Sequence, residues 1–160
     1  MKATILYYSE SGNTKARAEQ IKEGMERVEG AEAKTFSIDD IDMEWIRDSD
    51  CVILGSPTYY ADMPAKVHTF LESFGEYGVA GKLGGAFATA AYCYGGSELV
   101  LENTLKFMTF WGMLVYSGGG SLGKPPIHIG PTSVGPDPAM DDTFRLYGER
   151  MAKKATELFG

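Results

Sequence analysis

Residues 51–55 read Cys-Val-Ile-Leu-Gly, an apolar run with no polar residue at alternate positions. A strand with one wet face alternates; an unbroken apolar run this short belongs to a strand covered on both faces. Such a strand needs a sheet with helices packed on either side. Residues 3–8, Ala-Thr-Ile-Leu-Tyr-Tyr, form a second short apolar, β-prone run.

Each run ends in a polar loop and gives way to helical spacing. After residues 3–8 and the loop 9–14, Ala18, Ile21, Met25 and Val28 recur at helical intervals until Gly30. Residues 33–38 are a weaker strand. After 50–55 and the loop 56–60, Pro64 opens a helix with Val67, Phe70, Leu71 and Phe74 on one face, and Gly75 stops it. A small-residue strand over 83–91, a loop over 92–96 and a helix marked by Leu101, Leu105 and Met108 repeat the plan, followed by a fifth strand at 113–116. Residues 118–140 hold Pro125, Pro126, Pro131, Pro136 and Pro138, five of the seven prolines, and are expected to lack regular structure. A last helix over 141–158 turns Phe144, Tyr147, Met151, Ala155 and Leu158 inward.

Strands alternating with helices predict an α/β fold: a three-layer, doubly wound, five-stranded parallel sheet in the order 2-1-3-4-5, as one domain over residues 1–160. Sheets of this kind bind ligands beyond the carboxyl ends of their strands. The loops after strands one, three and four are therefore the candidate site.

Composition narrows the function. Fifteen Lys and Arg against 22 Asp and Glu give a net charge of −7, which repels a nucleic acid backbone or an anionic membrane. The two cysteines, Cys51 and Cys93, form no metal-ligand cluster, and no metal is expected. Cys51 reads as a small core residue. The N-terminal apolar run is too short for a signal peptide, and no stretch approaches the ~20 apolar residues that span a bilayer, so a cytoplasmic location is expected.

The loop Ser9-Glu10-Ser11-Gly12-Asn13-Thr14 brings hydroxyls, an amide and a glycine to the start of a helix, where free backbone N–H groups and the helix dipole favour an anion. The alternative is that Ser11 or Asn13 merely caps the helix. There is no Walker lysine, and Ser9 and Ser56 stand where a phosphate-accepting regulator needs acidic residues. Tyr59 and Tyr60 in the second loop, and Tyr92 and Tyr94 in the third, suggest a stacking platform for a flat ring, with one or two of them packed beneath loops instead. The run 118–123 matches two glycine motifs, but Lys124-Pro125-Pro126 follows where each motif needs a helix, so neither match carries weight.

Together the three loops resemble those of flavodoxin-like proteins that bind FMN. Within that group, Gly55-Ser56-Pro57-Thr58-Tyr59-Tyr60 with Met63-Pro64, the Gly95-Gly96 pair, Trp111-Gly112-Met113 and Gly130-Pro131 look most like the tetrameric NAD(P)H:quinone oxidoreductases of the WrbA type. The resemblance implies that Ser9, Ser11, Gly12, Asn13 and Thr14 hold the phosphate. It gives Pro57, Thr58, Tyr59 and Tyr60 the ribityl chain and ring, and places Thr89, Tyr92, Gly95 and Gly96 on the opposite side. It further implies a flavoprotein that takes electrons from NADH or NADPH and passes them to a quinone-like acceptor, with homo-oligomers within reach. The alternative is a flavodoxin-type electron carrier with protein redox partners. No side chain is singled out as an acid or base, because the flavin supplies the chemistry.

The chain departs from the group at two places. Phe110-Trp111 stands where the quinone reductases tend to have histidine, and Ala61 stands where glycine is usual. Alanine resists a positive φ, so a backbone flip that favours one-electron chemistry is expected to be costly here.

Overall fold

In the computed structural model, which describes residues 1–160, the short apolar runs become the central strands and each helical repeat packs back onto them. In chain order, β1 (Lys2–Tyr7), α1 (Asn13–Met25), β2 (Glu32–Ser37), α2 (Met43–Asp48), β3 (Cys51–Pro57) and α3 (Ala65–Glu72) are followed by β4 (Leu83–Ala90) and α4 (Ser97–Phe110). β5 (Leu114–Val115), β6 (Thr132–Val134) and α5 (Asp141–Phe159) complete the chain. All strand pairs are parallel, in the order β2-β1-β3-β4-β5, and β6 also pairs with β4. The sheet is the doubly wound α/β arrangement expected from the sequence. No helix is long and apolar enough to cross a membrane.

The unalternating runs are explained by burial on both faces. Ile5, Cys51, Ile53 and Phe87 join one core layer with α1 and α5. Leu6, Val52, Leu54, Ala86 and Ala88 join the other with α3 and α4. All eight residues of β4 are buried. Cys51 is fully enclosed, and burial pushes its thiol far above the ordinary range, so it acts as a core residue.

Four expectations need correction. The fifth strand position is split: β5 pairs with Leu83 and Gly84, while β6, inside the segment expected to be irregular, pairs with Ala88 to Ala90. Between them the chain leaves the sheet and is gathered by Arg150, whose guanidinium donates to the carbonyls of Gly118, Gly119, Leu122 and Pro125. It can rejoin at Gly130 because a Cβ there would lie 2.4 Å from the Ala86 carbonyl oxygen. α2, capped by the Asp42 carboxylate on the Trp45 N–H at 3.0 Å, was not foreseen, since six residues are too few for periodicity to register. α3 stops at Glu72, and Gly75 lies in the 3-10 turn Phe74–Tyr77 beyond it. Leu158 is 46% exposed, because Ala155 is the last residue of α5 to reach the core.

The two helices on one face approach unusually closely. A Cβ on Gly24 of α1 would sit 1.8 Å from the Arg145 carbonyl oxygen, and one on Gly148 of α5 would sit 2.0 Å from that of Ile21. Arg17, buried on α1, ties this layer to β6, the turn after it and the first residue of α5 through Ser133 Oγ at 3.0 Å, the Asp137 carbonyl at 2.7 Å and Asp141 Oδ1 at 2.7 Å. Gly24→Ala and Gly148→Ala are each expected to lower stability by about 2–3 kcal/mol in urea unfolding, since backbone must move. Gly30→Ala meets nothing within 4 Å and carries only its φ of +74°, so it is expected to cost about 1 kcal/mol.

Candidate functional site

The strand order sets β1, β3 and β4 side by side, so their three following loops share one end of the sheet. In the first loop Gly12 adopts φ +93°, and its N–H donates to Ser9 Oγ at 3.1 Å. Its carbonyl accepts from Ala16 N–H at 2.9 Å, the first amide of α1 taken up within the chain. The amides of Asn13, Thr14 and Lys15 therefore lack backbone acceptors, as helix starts do. No side chain caps this helix, so Ser11 and Asn13 are not spent as caps. Thr14 Oγ1 and Thr89 Oγ1, buried and 2.8 Å apart, join the first loop to the end of β4.

A pocket of about 170 Å³ opens above this pair. Ser11, Asn13 and Thr14 line it from the first loop, Pro57, Thr58 and Tyr59 from the second, and Thr89 from β4. Thr58 Oγ1 is buried and has no hydrogen-bond partner. The pocket continues, through Thr58, Tyr59, Ala90 and Ala91, into a cleft of about 520 Å³. Tyr60 and Ala61 form one side of that cleft and Tyr92 and Gly95 the other. One end is thus rich in hydrogen-bonding groups and the other is apolar, with dimensions suited to a phosphorylated, flat-ringed molecule.

Most of the residues expected from the sequence meet here. Ser9, Gly12 and Gly96 do not line the pocket or the cleft; they shape the loops. A Cβ on Gly96, φ +92°, would lie 2.9 Å from Ala61 Cα, so glycine lets the second and third loops touch. Of the four loop tyrosines, only Tyr59 is half-buried; Tyr60, Tyr92 and Tyr94 are exposed. Sequence reasoning missed Ala61, Ala90, Ala91 and Glu10 as lining residues. The alanines have no chemistry to announce them, and Glu10 carries the wrong charge for an anion site. At the other departure, Trp111 Nε1 donates to the Leu71 carbonyl at 2.8 Å and the Phe110 side chain has no hydrogen-bonding group, so neither offers the cleft a side-chain hydrogen bond.

The backbone at Ala61 corrects a further expectation. Tyr60 and Ala61 already have φ +54° and +63°, in a tight turn closed by reciprocal bonds between Tyr59 and Asp62 of 2.8 and 3.0 Å. Two left-handed non-glycine residues cost about 1–2 kcal/mol each. Asp62 Oδ1 holds the turn by accepting from Met63 N–H at 2.7 Å and Asn103 Nδ2 at 2.9 Å. The alanine is therefore held at the positive φ that the sequence argument expected it to resist.

Comparison with known proteins identifies the family. The flavodoxin family model matches residues 5–110. A flavodoxin from Clostridium saccharobutylicum is 38% identical over 160 residues, covering 99% of this chain and 100% of that one. An NAD(P)H dehydrogenase (quinone) from Cupriavidus metallidurans is 28% identical over 198 aligned residues and 99% of each chain. Among solved structures, a flavodoxin from the domain Archaea has a TM-score of 0.81 at 25% identity, covering 98% of this chain and 99% of that chain. A WrbA-like flavodoxin from Agrobacterium tumefaciens scores 0.79 at 22% identity over 98% of each, a likeness of fold. The fold is that of the flavodoxin-like α/β proteins. The chain belongs to the flavodoxin family, whose members bind FMN.

Glu10 also shapes the acid-base behaviour of the site. Its carboxylate accepts the Tyr8 hydroxyl, and that bond, followed by burial and the negative charge, pushes the Tyr8 phenol up to about 12. Tyr59 is raised by burial first, then by the same carboxylate. A phenol raised in the folded state stabilises it fully below the ordinary value near 10, and this contribution is lost as pH rises through about 12. Ultraviolet titration is expected to show Tyr8 ionising well after ordinary tyrosines, and Glu10→Gln to return it toward 10.

Proposed function

We propose that this chain holds FMN in the continuous pocket and cleft and serves as an electron carrier between protein partners. When bound, FMN supplies the electron chemistry that side chains lack. Ser11, Asn13 and Thr14, with the free amides that open α1, take the phosphate. Pro57 and Thr58 border the ribityl chain, with Thr89 opposite. Tyr59, Tyr60 and Ala61 face Tyr92 and Gly95 across the ring, and the exposed tyrosines leave its edge accessible. Thr58 supports the fit: a buried hydroxyl without a partner, at the junction of pocket and cleft, is satisfied by a polar ligand atom.

One observation carries the choice of an electron carrier over the NAD(P)H-dependent oxidoreductase. No lysine or arginine lines the pocket or the cleft, in a chain of net charge −7. A nicotinamide dinucleotide brings at least two phosphate charges that no cation lining the cleft receives, whereas an acidic chain steers a basic protein partner toward it. The quinone dehydrogenase from Cupriavidus metallidurans aligns over 198 residues against the 160 here, so it carries segments this chain lacks. The second reading, transfer from NADH or NADPH to a quinone-like acceptor, is favoured by the volume and apolar walls of the outer cleft.

Reductive titration of the FMN-loaded protein is expected to pass through a spectrally distinct one-electron stage, with no steady-state oxidation of NADH or NADPH in the presence of a quinone. Sustained turnover with either nucleotide establishes the second reading instead. Thr58→Val is expected to leave the stability of the FMN-free protein unchanged or slightly raised, while weakening FMN about tenfold in a fluorescence titration.

A further inference from the structure

The pocket assigned to the phosphate contains one ionisable carboxylate and no cation to balance it. Glu10 lines the pocket together with Ser11, Asn13 and Thr14. Its side chain is exposed, and its carboxylate has one hydrogen-bond partner. The Tyr8 hydroxyl, from the chain just beyond β1, donates to Glu10 Oε1. Tyr59, from the second loop, stands near the same carboxylate. The nearby cation above the Tyr8 ring, Lys66 with Nζ 5.2 Å from its centroid, is paired with Asp39 at 2.7 Å and does not line the pocket. A phosphate monoester entering here therefore meets neutral donors on the α1 side and an exposed negative charge on the Tyr8 side.

We propose that Glu10 is a charge-selective residue of this pocket: held against one wall by Tyr8, it opposes a doubly ionised phosphate and so sets how much the phosphate contributes to cofactor affinity. The proposal rests on the FMN reading above and adds a residue that acts against binding rather than for it. Neutral donors account for why the phosphate is accepted at all; Glu10 limits how tightly it is held. Tyr8 has the opposite sign, since its hydroxyl keeps the carboxylate away from the phosphate position. Losing that hydroxyl releases a charge into the pocket, whereas losing the charge removes the repulsion.

Riboflavin, which carries the same ring and ribityl chain without the phosphate, isolates the effect. FMN and riboflavin affinities are measured by flavin fluorescence quenching at low salt for the wild type, Glu10→Gln, Tyr8→Phe and the double variant, with urea unfolding confirming that each is folded. Glu10→Gln is expected to tighten FMN about tenfold at low ionic strength, with the gain shrinking as salt is added and riboflavin unmoved. Tyr8→Phe is expected to weaken FMN severalfold, and that loss is expected to vanish in the double variant. An unchanged ratio of FMN to riboflavin affinity in Glu10→Gln overturns the proposal. So does a parallel change in both affinities, which assigns Glu10 to loop positioning through Tyr8 and Tyr59. A wild type that binds neither flavin refutes the FMN reading itself, a result distinct from either of these.

Discussion

Everything in the molecule depends on β4 being covered from all sides. Its eight residues are buried without exception, it pairs with β3 along one edge, and its other edge is shared between β5 and β6. Such a strand has to be thin. Gly84 and Gly85 leave room for Met108 and Met113 on one side and the Tyr147 hydroxyl on the other, where a Cβ would lie 3.0 to 3.1 Å from the methionines and 2.2 Å from the phenol. The same strand delivers Thr89 to the first loop and Ala90 to the cleft. Core packing and site construction are thus two uses of one small-residue segment.

The architecture was legible because burial on both faces leaves a plain signature: runs such as Cys51 to Gly55 that do not alternate. Features shorter than the signal they need were not legible. α2 spans six residues and β6 three, each below the length at which a period can be read. In the site, hydroxyls and tyrosines announced themselves, while Ala90 and Ala91 contribute only by being small. Ser9 and Gly96 lie among the lining residues without lining the pocket or the cleft themselves; Ser9 Oγ accepts from Gly12 N–H and Gly96 lets the second and third loops touch.

Ala61 and Glu10 were hidden for a different reason. Local preference points away from a left-handed alanine, and only the tertiary frame of Asp62, Asn103 and Gly96 makes it hold. A carboxylate beside an anion site is likewise contrary to the simplest electrostatic rule. Both sit where the loops meet, and both break a rule that the rest of the chain obeys, as functional sites do.

The divided fifth strand separates two quantities that a sheet normally couples. The chain leaves beside Gly84 and returns beside Ala88, each half fixed by its own bonds to β4, while Arg150 gathers the excursion between them from outside the sheet. The register of the edge is therefore set independently of how much chain lies between its halves. Residues can be added or removed in its exposed stretch, 120–126, ahead of the buried Ile127, without shifting the end of β4 that carries Thr89, which makes that stretch a place where length can be altered by design at little cost to the cleft.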